Sequence, residues 1–256
     1  MLSANGDNLL LGRGKAYFDR KVNGLYTGLR FLGEASKLEI NPQVTKKDRF
    51  TSTKKAATKI ASVVVDQTHT ITIDLMEYTP DNIALALLGD TALITQLATP
   101  VMGESLSAAA QPGRVYQTAK RLITAITVHA AGAAAVLGTD YTIEDATLGL
   151  IYVVPGGVFD GTKAMTIDYT PTALAAADAK YKVDGGLENL IEGKLIFVGD
   201  PANGQAFDLE AWKVRFSPAG ALALITDDFG SIPLSGEVMD DSANHPGEPL
   251  YRLNAR

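Results

Sequence analysis

The chain has 256 residues, a net charge of −6, no cysteine and three histidines. That length allows one large domain or two small ones with a sizeable core, and the lack of cysteine excludes a disulfide scaffold, a thiolate zinc site and thiol catalysis. His69, His129 and His245 form no H-x-x-x-H pair, no apolar run approaches the ~20 residues of a membrane span, and residues 1–8 carry no charged start leading into an apolar stretch, so neither a local metal motif, a spanning helix nor signal-peptide secretion is expected.

The charge is divided along the chain. Residues 1–60 hold 12 Lys/Arg against 5 acids, while the remainder is acidic by 13. Between Lys59 and Arg114 there is no basic residue, and Asp66, Asp74, Glu77, Asp81, Asp90 and Glu104 all fall there. Such a chain can attract copies of itself if the two signs emerge on different surfaces; a solvated face without a partner is the plainer alternative.

In chain order, residues 14–19 read as a short aromatic strand, Asn23-Gly24 as a tight turn and residues 28–33 as a return strand. Leu38 and Ile40 share a face, and Pro42 is expected to stop that run. Residues 43–59, rich in Lys and Thr, cannot cover a core and are expected to form a long projecting loop or hairpin. Residues 60–76 are the most strand-like, with His69, Ile71, Ile73 and Leu75 on the packed face. Thr79 as N-cap, Pro80 at the first helical position and Asp81 beside it predict a short helix, with Ile83, Leu87 and Leu88 inward and Gly89 at its end.

Residues 99–171 show short strands punctuated by Gly and Pro, which predicts an inserted antiparallel subdomain; the tract at 130–135 reads as a flexible loop. Residues 173–180 suggest a short helix or connector. Strands are expected at 194–199, at 210–216 with Trp212, Val214 and Phe216 on one face, at 222–225 and at 232–238. The tail from Asp240 reads as an arm.

No catalytic constellation stands out. Phosphate-loop and nucleophile-elbow motifs are absent, and Gly12-Arg13-Gly14-Lys15 lacks the later glycine of a dinucleotide fingerprint. Asp227-Asp228 and Asp240-Asp241 are adjacent acids that point in different directions and make poor cation sites. No cofactor, metal or enzymatic activity is therefore expected.

Two regions resemble the major tail tube proteins of long-tailed bacteriophages. One is Leu9-Leu10-Leu11-Gly12-Arg13-Gly14-Lys15-Ala16-Tyr17-Phe18-Asp19-Arg20, continued by Gly28-Leu29-Arg30-Phe31-Leu32-Gly33. The other is Glu192-Gly193-Lys194-Leu195-Ile196-Phe197-Val198-Gly199-Asp200-Pro201-Ala202 with Lys213-Val214-Arg215-Phe216-Ser217-Pro218-Ala219-Gly220. The resemblance implies a mainly β fold: an antiparallel sandwich or barrel over 1–98 and 172–240 with one flanking helix, a β-rich insertion at 99–171 and a C-terminal arm at 241–256. It implies homo-oligomeric rings, six-fold in the family, stacked around a tape-measure protein. It further implies tail-terminator and distal-tail partners, transient passage of double-stranded DNA, and a place in the virion tail after assembly in the host cytoplasm. The loop at 41–60 matches the family's inter-ring loop, which makes Lys46, Lys47, Arg49, Lys54, Lys55 and Lys59 candidate inter-ring contacts. Asp66, Asp74, Glu77 and Asp81 become candidates for a complementary surface or an acidic lumen. Residues 1–12 would be a second arm. The alternatives from other classes are a β-sandwich adhesin or carbohydrate-binding module, which needs an exposed aromatic platform, and a hydrolase, which needs raised-pKa carboxylates in a pocket.

Overall fold

A computed structural model of the protein describes residues 9–53 and 55–256. Its elements are β1 (Gly14–Val22), β2 (Leu25–Tyr26), β3 (Arg30–Phe31), β4 (Ala35–Phe50), β5 (Lys59–Leu75), α1 (Pro80–Ala86) and β6 (Asp90–Leu93). They continue with β7 (Val101–Ser107), β8 (Val115–Gln117), β9 (Ile123–Ala130), β10 (Ala133–Ala134), β11 (Tyr141–Asp145), β12 (Leu150–Val153) and β13 (Met165–Pro171). The last are β14 (Tyr181–Asp184), β15 (Ile191–Gly199), β16 (Phe207–Pro218), β17 (Ile232–Val238) and β18 (Tyr251–Ala255). The fold is mainly β and antiparallel with one short α-helix, as the alternation of the sequence demands.

The chain divides into two compact units, Met1–Ala92 with Val183–Arg256, and Leu93–Lys182. The inserted unit is wider than 99–171 because Ile94 donates to Lys180 O at 2.7 Å and Gln96 to Leu174 O at 3.1 Å, which ties the flanks to it. β6 and β14 pair as a two-stranded ribbon where the chain passes from one unit to the other.

In the larger unit the strands are hydrogen-bonded as one nine-stranded sheet in the order β2-β1-β15-β16-β17-β5-β4, with β3 against β1 and β18 against β16. The sheet wraps a core that includes Phe18, Ile71, Ile73, Leu195, Phe216 and Leu234, and Leu85 of α1 belongs to the same core. Thr79 accepts from the Asn82 N–H and caps the helix. Its end departs from expectation. Leu88, not Gly89, takes the left-handed conformation at φ 49°, and Gly89 donates to Ala84 O at 2.8 Å to complete the terminating pair of bonds. Gly89 is required for another reason: a Cβ there would lie 2.3 Å from Asp184 O. Ile83 and Leu88 pack against the core as predicted, but Leu87 is exposed and Leu85 takes the buried position.

Four further expectations are corrected. Pro42 does not end a strand. It pairs with His69 in the middle of β4, which is possible because β4 is the sheet edge and its outer side needs no donor. Trp212 does not share a face with Val214 and Phe216: the β15–β16 register shifts between Gly193 and Leu195, which turns Trp212 to the other side of the sheet. Residues 222–225 are not a strand; they lie in the loop joining β16 to β17. The tail is more than an arm, since β18 pairs with the first half of β16 from Phe207↔Ala255 to Ala211↔Tyr251. Residues 1–8 of the expected N-terminal arm lie outside the described residues.

The smaller unit has two sheets, β10-β9-β13-β7 and β11-β12-β8, around a core including Ile123, Val128, Tyr141, Ile151, Phe159 and Tyr169. The Ala/Gly tract is a tight turn rather than a flexible loop. Ala131 and Gly132, at φ 49° and 88°, join β9 to β10 as a two-residue hairpin. Burial and the Glu104 carboxylate, which accepts from the Tyr169 hydroxyl at 2.5 Å, push the Tyr169 phenol up to about 12.

Candidate functional site

The feature that sets the larger unit apart is the β4–β5 hairpin. β17 pairs with β5 from Leu75 only as far as His69. Beyond that point β4 and β5 have each other alone, from Gln43↔Thr68 to Phe50↔Lys59. β5 is exposed over its first ten residues and alternates buried and half-buried from His69 onward. At about 3.3 Å per residue, the free part reaches roughly 30 Å past the sheet. His69 sits where the hairpin leaves the core, buried, with its ring nitrogens 2.8 Å from Gln67 Nε2 and 3.1 Å from the Tyr251 hydroxyl.

Cross-strand partners in an antiparallel ribbon share a face. A bulge between Thr45↔Asp66 and Lys46↔Val64 leaves Val65 unpaired and adds twist. Beyond it, Lys46 and Asp48 lie with Val64 and Ser62 on one face, and Lys47 and Arg49 with Val63 and Ala61 on the other. Val44, Phe50, Ile60, Val63, Val64 and Val65 are all exposed. The hairpin is thus both basic and apolar. Exposed β-branched side chains on both faces, with no core to enter, are unusual on an isolated soluble molecule and mark an interaction surface.

The predicted basic residues do not act alike. Lys46, Lys47 and Arg49 lie along β4, and Lys55 lies in the turn. Lys54 lies outside the described residues. Lys59 is engaged within the hairpin: its Nζ is 2.6 Å from Asp48 Oδ2, and Ser62 donates to Asp48 Oδ1 at 2.6 Å. Lys59, and then Ser62, hold the Asp48 carboxyl below its ordinary range.

The predicted acids are likewise divided. Asp66 and Asp74 lie on the face of β5 away from Ile71 and Ile73. Glu77 accepts from the Glu34 N–H at 2.9 Å and fills the space beside Gly33. Asp81 accepts from the Thr91 hydroxyl at 3.2 Å and stands 4.0 Å from Arg30 Nε. Burial pulls the Arg30 guanidinium down, and Asp81 partly offsets it. These four acids do not make one surface: Asp66 is exposed and Asp74 half-buried on β5, while Glu77 and Asp81 are engaged in local structure.

A second polar cluster was not foreseen. On the outer side of β16 the Trp212 ring, 5% exposed, stacks on His245 with centroids 3.9 Å apart and planes 4° from parallel. Trp212 Nε1 donates to Glu248 O at 2.7 Å, and Lys194 and Arg252 stand over the ring at 4.9 and 5.3 Å. His245 Nδ1 is 2.8 Å from Asp241 Oδ2. Burial would raise the Asp241 carboxyl, but Asn244 and His245 outweigh it and lower it. The only signal in the sequence was the run Asp240–Pro249 of turn formers following the last core strand; the bulge that aims Trp212 at it is not visible there.

Among the described residues no group of three His, Asp or Glu is placed to hold a metal ion, and Asp240 and Asp241 spend their carboxylates on Ser242, Asn244 and His245. Every carboxylate with a resolved shift lies below its ordinary range: Asp48, Asp140, Asp160, Asp168, Glu192, Glu210 and Asp241. None of these has the raised pKa of a general acid. No described helix is long and apolar enough to cross a membrane.

Fold and site define a mainly β protein with a projecting basic, apolar hairpin and a separate β unit inserted in its chain. A family model described as protein of unknown function UCP028589 matches residues 9–250, and the chain belongs to that family. A search of curated proteins finds no match to the chain.

Proposed function

We propose that the protein is a structural subunit that assembles with copies of itself into a hollow tube, of the kind built by the major tail tube proteins its sequence resembles. Copies close into rings, six-fold by the resemblance, and rings stack around a tape-measure protein between tail-terminator and distal-tail proteins. Double-stranded DNA passes through the bore, and the protein is a virion tail component assembled in the host cytoplasm.

The observation that carries this reading is the hairpin: an exposed two-stranded ribbon reaching about 30 Å past the sheet has no role in the core it leaves. The long β4 edge adds to it. Among the described residues no strand pairs with its outer side, and a free edge of that length is a place for a neighbouring chain to add. The other readings have less support. Trp212, the sole tryptophan, is covered by His245 and offers no sugar platform. The lowered carboxylates do not suit a hydrolase's acid.

Negative-stain microscopy and light scattering of the full chain test the proposal, with a variant in which residues 45–66 are replaced by Asn-Gly. The expected result is annular or tubular particles with a central hole for the wild type, and a folded, non-stacking subunit for the variant. A wild-type chain that stays monomeric at every concentration overturns the reading.

A further inference from the structure

The hairpin needs a receiving surface, and the larger unit carries one at its opposite end. β16 and β17 are joined by residues 219–231, and β17 begins with Ile232 paired to Leu75, the far end of β5 from the hairpin tip. From Leu75 to Lys59 the strand runs about 50 Å. The loop and the hairpin tip therefore leave the same sheet in opposite directions.

The loop displays what a core would normally take in. Leu224 is 81% exposed, Ile225 95% and Phe229 94%. They are not held there by chance of a loose chain, because both sides of the loop are anchored at its base. The Tyr78 hydroxyl stands 3.2 Å from Ala223 O and 3.3 Å from Ser231 O, and Leu222 packs against the core. Gly230 lets the chain pass over Tyr78, since a Cβ would come 2.4 Å from its hydroxyl. Between the apolar side chains stand Asp227 and Asp228, both exposed, and among the described residues neither has a salt bridge.

The hairpin is the complement. It sets Lys46 opposite the exposed Val64 and Lys47 opposite the exposed Val63, with Arg49 and the exposed Phe50 next along β4. We infer that residues 219–231 of one copy are the socket for the β4–β5 hairpin tip of the next, with Leu224, Ile225 and Phe229 against the hairpin's valines and Asp227 and Asp228 against its basic residues. This rests on the proposal that copies assemble and names the surface by which they do so. Because the two surfaces sit at opposite ends of one strand axis, the contact is head-to-tail. It propagates along the axis, which an isologous dimer contact would not. The apolar part supplies the attraction, and the charges choose the register and exclude hairpin-to-hairpin contact.

The absence of cysteine makes the test clean. Full-length Val64→Cys protein is mixed under mild oxidation with a tagged, heavier Ile225→Cys protein; the control replaces the latter with Ser105→Cys. The expected result is a disulfide-linked heterodimer at least tenfold more abundant with Ile225→Cys than with the control. In parallel, the pair Asp227→Lys and Asp228→Lys, and the triple Lys46→Asp, Lys47→Asp and Arg49→Asp, each lower multimer yield about tenfold, and an equal mixture of the two proteins restores multimers. Multimers that persist through the loop reversal, with no heterodimer above control, overturn the socket and leave the assembly reading standing. A wild type that forms no multimers, together with no heterodimer above control from the cysteine pair, overturns both.

Discussion

Asp140 holds two loops of the smaller unit with one carboxylate. Its Oδ2 accepts from the Val136 N–H at 2.7 Å and its Oδ1 from the Val158 N–H at 2.8 Å. Those two bonds, in that order, depress its pKa, so the stability it contributes is complete above the ordinary aspartate value and is lost as pH falls through the folded value. Asp140→Asn keeps one acceptor and turns a donor toward the other N–H. Thermal unfolding should show a lower midpoint for the variant at pH 7, with the gap from wild type narrowing toward pH 3. An unchanged gap across that range would mean the carboxylate charge is irrelevant. At Trp212, truncation to Ala removes a ring enclosed by His245, Lys194 and Arg252 and should cost about 3 kcal/mol. It should also raise amide exchange over Tyr251–Ala255, because the stack is what seats the preceding segment; denaturant titration with hydrogen exchange measures both.

Strands and turns were the most legible scale, for a local reason. Side-chain alternation and turn chemistry depend on a few neighbours, so β5 and β17 and the Asn23-Gly24 turn could be placed from their own residues. Ala131-Gly132 follows the same turn geometry, but with Ala at φ 49° where Asn or Gly is preferred, which is why it read as a loose loop. Ala131→Asn should stabilise the β9–β10 hairpin by about 0.5–1 kcal/mol, since Asn tolerates the left-handed region without widening the unfolded ensemble as Gly would. Equilibrium denaturation at neutral pH gives the value, and a loss of stability would show that the turn is not strained at Ala131. The hairpin candidates Lys46, Lys47 and Arg49 were legible as a basic run. That Lys59 closes on Asp48 was not, because the register shift between Arg49 and Phe50 sets that contact.

At the scale of the whole chain, two cores without a shared member divide the stability. One contains Phe18, Ile71 and Phe216, the other Tyr141, Ile151 and Tyr169. Replacing residues 95–179 by a two-residue turn keeps β6 beside β14 and leaves the first core complete. The shortened protein should fold, unfold cooperatively and give one transition by circular dichroism where the full chain gives two. An unfolded product would show that the larger unit depends on the insertion. What the sequence by itself determined is the β character with several of its strands, the capped helix and the two-part charge, each a consequence of contacts within a few residues. Tertiary structure decided the rest: that β4 runs through Pro42 because it is an edge, that a bulge sends Trp212 outward, and that Leu224, Ile225 and Phe229 stay outside the core. Those outcomes turn on which distant strands pair and in what register. Period-two patterning is satisfied by several such pairings, and only the packed chain selects one.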